Sequence, residues 1–295
     1  SEDAHPTSWA TAQMVRQIQR RDPLRPFFFY LSYQFPHPPL VPLRDYMEMY
    51  RDVRLRKPLE DNWVDDSFIM REMTAPARHY TAREIDLARR AYFAQCTHID
   101  HQIRLVLGAL RENGLLDNTL IVFTSDHGEM LFDHQMAGKR CFYENSAHIP
   151  FLLSGRPVSA LRGVRDARIA CLEDVMPTLL RFCGIDVPST AEGMDLLGKK
   201  KRDWLYGEIS DGPKATRMIH DGRHKLIYYP YGNRVQLFDL LKDPNEERDV
   251  SGSEAYVAVR ETLTGFLMES LYGTDREWIQ HGCLCGVEAP EYCEK

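Results

Sequence analysis

Apolar side chains recur at helical spacing in several segments of the chain. Residues 8–21 show this pattern and predict a helix that ends before a proline, which cannot continue it. The run Thr81-Ala82-Arg83-Glu84 has the residue types of a capping box and predicts a longer helix that a glycine at position 114 ends. Residues 172–183 predict a further helix, which is also followed by glycine.

Continuous apolar runs of strand length separate these helices. They are residues 26–32, 119–125 and 149–154. Strands that are apolar throughout are typical of a buried parallel sheet. Because helices and strands alternate as far as about residue 198, the pattern predicts an α/β domain with a parallel sheet flanked by helices.

The pattern changes after residue 198. Short strand-like runs separated by Gly, Asp and Asn turns predict an antiparallel meander, at residues 204–209, 216–221, 224–229 and 234–239. Residues 254–272 have helical periodicity and are expected to cover one face of the meander. The sequence therefore predicts two domains: an α/β core domain at residues 1–198 and a small C-terminal α+β domain at residues 199–295.

The composition narrows the range of partners. The net charge is −6, whereas a nucleic-acid-binding protein normally has a basic face, so no nucleic-acid partner is predicted. No apolar run approaches the roughly 18 residues of a membrane helix, so no membrane span is predicted. The sequence shows neither an initiator methionine nor a basic-then-apolar leader, and we expect the natural N-terminus to lie elsewhere. Cytoplasmic, periplasmic and secreted locations all stay open, as does the oligomeric state.

The segment Ser125-Asp126-His127-Gly128-Glu129 directly follows a predicted buried strand. In open parallel sheets, ligands bind beyond the carboxyl ends of the strands. An adjacent carboxylate and imidazole can reach one divalent cation where the backbone turns sharply, and Gly128 allows such a turn. The oxygen ligand suits Ca²⁺, Mg²⁺ or Mn²⁺, and the imidazole disfavours Mg²⁺. The alternative is that Asp126 caps a following helix and His127 is an ordinary loop histidine.

Two further residues could complete a pocket at the strand ends. Lys139 lies thirteen residues after Asp126, and His37 lies in a proline-rich loop after the first apolar run. A cation, a lysine and a histidine at neighbouring strand ends would neutralise the charge of a tetrahedral oxyanion.

The run Ser-Asp-His-Gly-Glu-Met-Leu-Phe-Asp-His-Gln-Met-Ala-Gly-Lys-Arg begins a segment, residues 125–144, of specific spacing. It resembles the second signature of the sulfatase family, within the alkaline phosphatase superfamily. Further segments resemble the family's strand and pocket histidine, its central helix, the helix and turn after the site, and the close of its C-terminal meander. They are residues 28–39, 98–103, 174–180, 183–188 and 237–247.

The resemblance implies an alkaline-phosphatase-like fold and a role for each matching residue. Asp126 and His127 would be metal ligands, with Ca²⁺ as the first choice of metal and Mn²⁺ or Mg²⁺ as alternatives. Lys139 would bind the sulfate and the leaving oxygen, and His37 would hydrogen-bond the same group or protonate the leaving group. Most sulfatases have Asn at the position of His127; His occurs in some sulfatases and in related phosphonate monoester and phosphodiester hydrolases.

The chain lacks the nucleophile that the resemblance implies. The family forms a formylglycine from Cys or Ser in a Cys/Ser-x-Pro/Ala-x-Arg motif, and none of the seven cysteines and none of the serines here has that pattern. In the family this motif lies in the first third of the protein, together with an Asp pair that completes the metal site. We therefore expect either a fragment or a degenerate homologue, and the intact spacing of the second signature favours a fragment.

The resemblance implies hydrolysis of a sulfate monoester of a small molecule or a carbohydrate. Position alone suggests substrate contacts for His134, Arg140, Tyr33 and Gln34. One alternative is a phosphonate monoester or phosphodiester hydrolase that uses the same site. Another is a non-catalytic binding protein that has kept the pocket without a nucleophile.

Overall fold

The structure, a computed structural model, describes residues 2–59, 61, 63, 75–76 and 79–288. The chain divides into two units, each assembled from separate stretches of sequence. The first comprises Ser1–Pro58, Ala77–Ser125 and Pro150–Val164, and the second comprises Leu59–Pro76, Asp126–Ile149 and Arg165–Lys295. The domain boundary predicted between residues 198 and 199 stays a prediction.

The helices and strands are numbered along the chain. The α-helices of the described residues are α1 (Pro6–Arg20), α2 (Arg44–Glu48), α3 (Ala82–Glu112), α4 (Glu144–Ala147), α5 (Val175–Phe182) and α6 (Val257–Ser270). The strands are β1 (Ala75–Pro76), β2 (Ile121–Thr124), β3 (Met136–Ala137), β4 (Phe151–Ser154), β5 (Leu205–Ile209), β6 (Thr216–His220), β7 (His224–Tyr229), β8 (Arg234–Asp239), β9 (Ile279–Gln280) and β10 (Cys283–Leu284).

The first unit is built around the packing of α1 against α3. Ile18 of α1 and Ala109 and Leu110 of α3 are buried at their contact. Burial of a leucine or isoleucine side chain contributes about 1.5–3 kcal/mol, so this contact between the helices stabilises the unit. The helices predicted at the start of the chain and after the capping box are both confirmed.

The capping box at the start of α3 is present in full. The backbone N–H of Glu84 donates to the Thr81 hydroxyl at 3.3 Å, and the Glu84 carboxylate accepts from the backbone N–H of Thr81 at 2.7 Å. These bonds satisfy donors that a helix start leaves without partners. α3 is 31 residues long and carries charged side chains along its length. Within the described part of the chain, no helix combines the length and the apolar character that a membrane span requires.

Two buried histidines meet beside α1. His5 caps the helix, because its Nδ1 accepts a hydrogen bond from the backbone N–H of Thr7 at 3.2 Å. The ring of His98, from α3, lies 4.7 Å from the His5 ring, and its Nε2 is 3.2 Å from the Ser8 hydroxyl. Burial lowers the pKa of both imidazoles; the charge of His5 lowers that of His98 further, and Glu2 opposes the shift at both.

This histidine pair predicts a loss of stability in mild acid. Because the folded-state pKa of His5 and His98 is lowered, the neutral rings contribute their full stability above the unfolded value of about 6.5 and lose it as the pH falls. We therefore expect the free energy of unfolding to decrease between about pH 7 and pH 5 in denaturant titrations. His98→Gln should show a shallower decrease over that interval, and a decrease as steep as that of the unsubstituted protein would contradict the assignment.

β2 and β4 pair in an orientation that differs from the prediction. Ile121 lies opposite Ser154 and Thr124 lies opposite Phe151, so the pair is antiparallel. The parallel orientation predicted for the strands of the core is wrong here. A parallel crossover needs an element that carries the chain back along the strand, usually a helix, and α4 in the intervening connection has only four residues.

Residues 26–32, predicted as a buried strand, form no strand in the structure. Phe27 and Phe29 are partly buried against the α1–α3 contact, whereas Phe28 is 74% exposed and Tyr30 is 80% exposed. Such alternation is typical of strand geometry. However, a strand also requires a ladder of hydrogen bonds with a neighbour, and this segment makes none with the described residues. The prediction of a buried strand at residues 26–32 is therefore wrong in both burial and pairing.

The second unit contains the predicted meander. β5, β6, β7 and β8 form an antiparallel sheet in sequential order. Leu226 of β7 lies opposite Ile219 of β6 on one side and Leu237 of β8 on the other. Directly paired residues share a face of the sheet, so these three side chains form one apolar stripe. The meander prediction is confirmed.

The two faces of this sheet have different coverings. α6 packs through Leu263 and Leu267 on the face that carries the Leu226 stripe, as the sequence predicted. The opposite face packs through Met218, Ile227 and Phe238 against the segment of residues 130–143. The segment that contains Lys139 therefore packs against this face of the sheet.

Candidate active site

Asp126 and His127 form a close pair of donor groups. Asp126 Oδ2 lies 3.5 Å from His127 Nε2, and Asp126 Oδ1 accepts a hydrogen bond from the backbone N–H of His127 at 2.9 Å. His127 Nδ1 lies 2.8 Å from the carbonyl oxygen of Gly128. Since a carbonyl only accepts, Nδ1 is the donor in this contact, and Nε2 is the ring nitrogen on the side of the Asp126 carboxylate. The alternative in which Asp126 caps a helix is wrong, because residues 127–132 contain no helix.

The position of Gly128 requires glycine, because the structure leaves no space there for a side chain. Its backbone N–H donates to the carbonyl oxygen of Ser146 at 2.8 Å, and the N–H of Glu129 donates to that of Asn145 at 2.8 Å. A Cβ on Gly128 would overlap the Asn145 carbonyl oxygen. Close approach of two backbone segments, rather than the sharp turn expected from the sequence, is therefore what demands glycine.

The loop after Gly128 closes on itself and brings Lys139 back toward its start. The backbone N–H of Met130 donates to the carbonyl oxygen of Gly138 at 2.8 Å. The Glu129 carboxylate accepts a hydrogen bond from the backbone N–H of Gly138. Because Lys139 follows Gly138 directly, these bonds place the backbone at Lys139 near Glu129 and Met130, which follow the Asp126–His127 pair closely in sequence, and the Lys139 side chain is half-buried.

The same loop holds several non-glycine residues with left-handed backbone. The φ angles are 47° at Leu131, 69° at Phe132, 53° at His134, 57° at Gln135 and 77° at Arg140. Such conformations cost about 1–3 kcal/mol each and persist where the surrounding structure enforces them. Backbone strain of this kind clusters at functional sites. Arg140 is exposed, and its predicted contact with substrate stays a prediction.

His134 and Asp133 anchor the loop to a neighbouring segment. His134 is buried, and its Nδ1 lies 2.6 Å from the buried carboxylate of Asp61. Asp133 accepts a hydrogen bond from the backbone N–H of Leu59 at 2.8 Å and one from the Asn145 side-chain amide at 2.6 Å. These contacts give His134 a buried acidic partner, and its predicted place at the substrate entrance stays a prediction.

The other predicted site residues belong to the first unit. His37 is exposed, and its Nδ1 lies 2.7 Å from the carbonyl oxygen of Pro38, so Nε2 is the ring atom opposite that bond. The Tyr33 hydroxyl lies 2.9 Å from the Thr11 hydroxyl, which ties it to α1. Gln34 is exposed. The convergence of His37, Tyr33 and Gln34 with the residues of the second unit stays a prediction.

Two family models match the chain. The Sulfatase model matches residues 8–185, more than half of the chain, and the model of the N-sulphoglucosamine sulphohydrolase C-terminal region matches residues 132–271. The chain is a member of the sulfatase family. The resemblance inferred from the residues around Asp126 is thereby confirmed.

An arylsulfatase of Clostridium perfringens is among the relatives of this sulfatase chain. The two are 35% identical over 285 residues, which cover 93% of this chain and 59% of the relative. The chain thus spans about three-fifths of the length of that relative.

Solved structures share the fold. The phosphonate monoester hydrolase of Agrobacterium radiobacter superimposes with a TM-score of 0.80 at 24% identity and covers 91% of this chain and 61% of its own. A protein solved with its substrate D-glucosamine-2-N,6-O-disulfate superimposes with a TM-score of 0.77 at 20% identity and covers 90% of this chain and 69% of its own. The predicted fold class is confirmed.

Sulfatase-family proteins use a divalent metal, and the Asp126–His127 pair fits part of such a site. A carboxylate oxygen and an imidazole nitrogen are ligands that divalent cations accept, and His127 donates its other ring N–H to a carbonyl, as metal-bound histidines do. Among the described residues, no three His, Cys, Asp or Glu side chains are arranged to hold a metal ion. The pair can therefore supply two ligands of a set that needs more.

Cys141 is close to Lys139 in sequence and is not suited to be the nucleophile. Its side chain is buried, and burial raises the pKa of the thiol to about 12. The thiol therefore stays protonated near neutral pH, whereas the thiolate is the reactive form.

A buried charge network that was not predicted from the sequence lies next to the segment of residues 142–144. Lys225 of β7 donates to the carbonyl oxygen of Phe142 at 2.8 Å, to Glu246 at 3.0 Å and to Glu144. Glu246 also accepts a hydrogen bond from the backbone N–H of Glu144 at 2.6 Å. The signal was present: within an apolar strand, Lys225 shares the register of Ile227 and so must point into the packed face.

The network favours the charged forms of Glu144 and Lys225, whereas burial raises the pKa of Glu246. Burial opposes ionisation of Glu144, but hydrogen bonds from His148 and Lys225 outweigh it and lower its pKa to about 2. Burial likewise disfavours the charged form of Lys225, and the carboxylates of Glu246 and Glu144 raise its pKa above the usual value. Glu144 therefore contributes stability above its unfolded pKa of about 4.5, and this is lost as the pH falls toward 2.

Proposed function

We propose that this chain forms the metal- and sulfate-binding part of an enzyme that hydrolyses a sulfate monoester. The observation that carries the proposal is the pairing of His127 Nε2 and Asp126 Oδ2 at 3.5 Å, in a chain of the sulfatase family. The arylsulfatase relative at 35% identity supports the sulfate ester over other esters.

Each residue has a separate part in this proposal. Asp126 and His127 would hold a divalent cation, which when bound would supply positive charge to polarise the sulfate oxygens. Lys139 brings a positive charge to the sulfate and to the leaving oxygen. His37, oriented by its bond to the Pro38 carbonyl, presents Nε2 to hydrogen-bond or protonate the leaving group. The reaction also needs a nucleophile, and the formylglycine motif Cys/Ser-x-Pro/Ala-x-Arg does not occur among these 295 residues.

The metal is proposed to be Ca²⁺, with Mn²⁺ as the second choice. The Asp126 carboxylate is 83% exposed at its side chain, which leaves room for further oxygen ligands and suits the high coordination number of Ca²⁺. The single imidazole keeps Mn²⁺ possible and disfavours Mg²⁺.

A sulfated carbohydrate is the proposed substrate class. The support is the match to the C-terminal model of N-sulphoglucosamine sulphohydrolase and the similar fold of a protein solved with a sulfated glucosamine. His134, Arg140, Tyr33 and Gln34 are the proposed contacts with the part of the substrate beyond the sulfate.

The test compares two ester classes on the complete translation product of the gene. An aryl sulfate and an aryl phosphonate monoester are assayed after metal removal and after addition of Ca²⁺ or Mn²⁺. We expect metal-dependent turnover with the higher kcat/KM for the aryl sulfate. Preference for the phosphonate would favour the related hydrolase activity. Binding of sulfate esters without turnover, in a product without Cys/Ser-x-Pro/Ala-x-Arg, would favour a non-catalytic binding protein.

A further inference from the structure

The turn that carries Asp126 and His127 is held by hydrogen bonds to one short segment, residues 145–146. Gly128 and Glu129, directly after the pair, donate their backbone N–H groups to the carbonyl oxygens of Ser146 and Asn145, each at 2.8 Å. The side-chain amide of Asn145 also holds Asp133 at 2.6 Å. The position of the ligand pair therefore depends on where residues 145–146 lie.

Residues 145–146 belong to α4, whose first residue is held by a distant carboxylate. The backbone N–H of Glu144 donates to Glu246 at 2.6 Å, across 102 positions of sequence. At the first turn of a helix this N–H has no partner within the helix, so the carboxylate both satisfies it and fixes the start of α4. Glu246 has no measurable exposure and is itself held by Lys225 at 3.0 Å.

Lys225 fixes the same segment at two more points. It is 1% exposed, and its ammonium group donates to the Phe142 carbonyl oxygen and to the Glu144 carboxylate. Through Lys225, strand β7 therefore contacts the chain at Phe142, immediately before α4. Glu246, which follows β8, contacts Glu144, the first residue of α4. The sheet therefore contacts residues 142–144 through Lys225 and Glu246. These residues lead directly into residues 145–146, whose carbonyl groups accept the hydrogen bonds from Gly128 and Glu129 next to the ligand pair.

We propose that Glu246, together with Lys225, is a positioning residue for the Asp126–His127 pair, so that the C-terminal sheet determines how tightly the site holds its cation. This inference rests on the proposed function, because it takes that pair to be metal ligands. Glu246 touches neither ligand; it acts through the backbone of Glu144 and the two carbonyl groups that follow.

A second buried ion pair of the same unit provides a matched control. Arg217 is 3% exposed and donates to Asp275 at 2.6 Å, and Asp275 is 9% exposed. Arg217 also donates hydrogen bonds to backbone carbonyl groups at residues 209, 210 and 216, which lie outside residues 126–146. Removal of Asp275 therefore costs stability through lost pairing without a direct contact to the ligand turn.

The experiment measures hydrogen exchange of the Gly128 and Glu129 amides, and Mn²⁺ affinity, well below the thermal midpoint of each variant. In Glu246→Ala we expect exchange of the two amides to accelerate about tenfold or more, and the Kd for Mn²⁺ to rise by about 10–100-fold. Glu246→Gln should recover part of both values, because its amide oxygen still accepts from the Glu144 N–H while the contact with Lys225 is lost. Asp275→Ala should lower the thermal midpoint and leave both values unchanged.

Should Glu246→Ala fail to fold, Glu144→Gln replaces it, since this change weakens the bonds of the Glu144 carboxylate to Lys225 and His148 and keeps the backbone N–H that Glu246 accepts; a severalfold acceleration is then expected. Unchanged amide exchange in the Glu246 or Glu144 variant would overturn the inference, as would an equal acceleration in Asp275→Ala. If the unsubstituted complete protein bound no Mn²⁺ or Ca²⁺, the proposed metal role of the pair would fail, while the exchange data would still decide whether Glu246 positions the turn.

Discussion

Replacement of Asp126 by Asn is expected to abolish sulfate-ester hydrolysis while the protein stays folded. The asparagine keeps the size of the side chain and removes the negative charge that we propose to bind the cation. Loss of a group that stabilises charge in the transition state costs about 10²–10³-fold in kcat, and loss of a metal ligand should cost at least this much. The side chain is 83% exposed, so the free energy of unfolding should change by no more than about 0.5 kcal/mol.

Steady-state kinetics and Mn²⁺ titration of the complete protein measure the two effects of Asp126→Asn. Asp186→Asn serves as the matched control, because Asp186 is a fully exposed side chain of the same unit that pairs only loosely with Arg181 at 3.4 Å. The control should keep both turnover and metal affinity. Turnover retained in Asp126→Asn would exclude Asp126 as a metal ligand.

Gly128→Ala is expected to produce the largest loss of stability at the site. The added methyl group would meet the backbone carbonyl oxygen of Asn145, which no side-chain rotation can relieve. The two backbone hydrogen bonds from Gly128 and Glu129 would have to lengthen or break. Overpacking together with these bonds should cost about 3 kcal/mol or more, and metal affinity should fall with them.

The control for Gly128→Ala is Gly265→Ala, in the interior of α6. No atom lies within contact range of a Cβ at Gly265, and alanine is the better helix former. This variant should therefore gain about 0.5–1 kcal/mol in denaturant titrations. A Gly128→Ala protein as stable as the unsubstituted one would show that the two backbone segments can separate freely.

The features predicted well from the sequence are those that neighbouring residues determine. The capping box at Thr81 and Glu84 marked the start of α3, and short runs with turn residues between them marked the meander. The Asp126–His127 pair was found because adjacent residues after a strand are together in any fold. Local hydrogen bonds and side-chain periodicity carry all of this information.

The errors concern partners that are distant in sequence. An apolar run does not specify which strand it pairs with or in which direction, so the predictions of a strand at residues 26–32 and of a parallel orientation for β2 and β4 are wrong. The need for Gly128 comes from Asn145, seventeen positions later, which no local pattern shows. Lys225 could have been suspected, since a lysine at an inward position of a buried strand requires buried acidic partners.

The contact between Glu246 and the N–H of Glu144 also has a consequence for synthesis on the ribosome. The segment 126–146 emerges with its catalytic signature complete, but the carboxylate that anchors it follows 102 residues behind Glu144. At about 5–20 residues per second, this is a delay of several seconds or more. During that interval the nascent polypeptide displays the signature without the groups that hold it in place, so the proposed cation site would be completed late in translation.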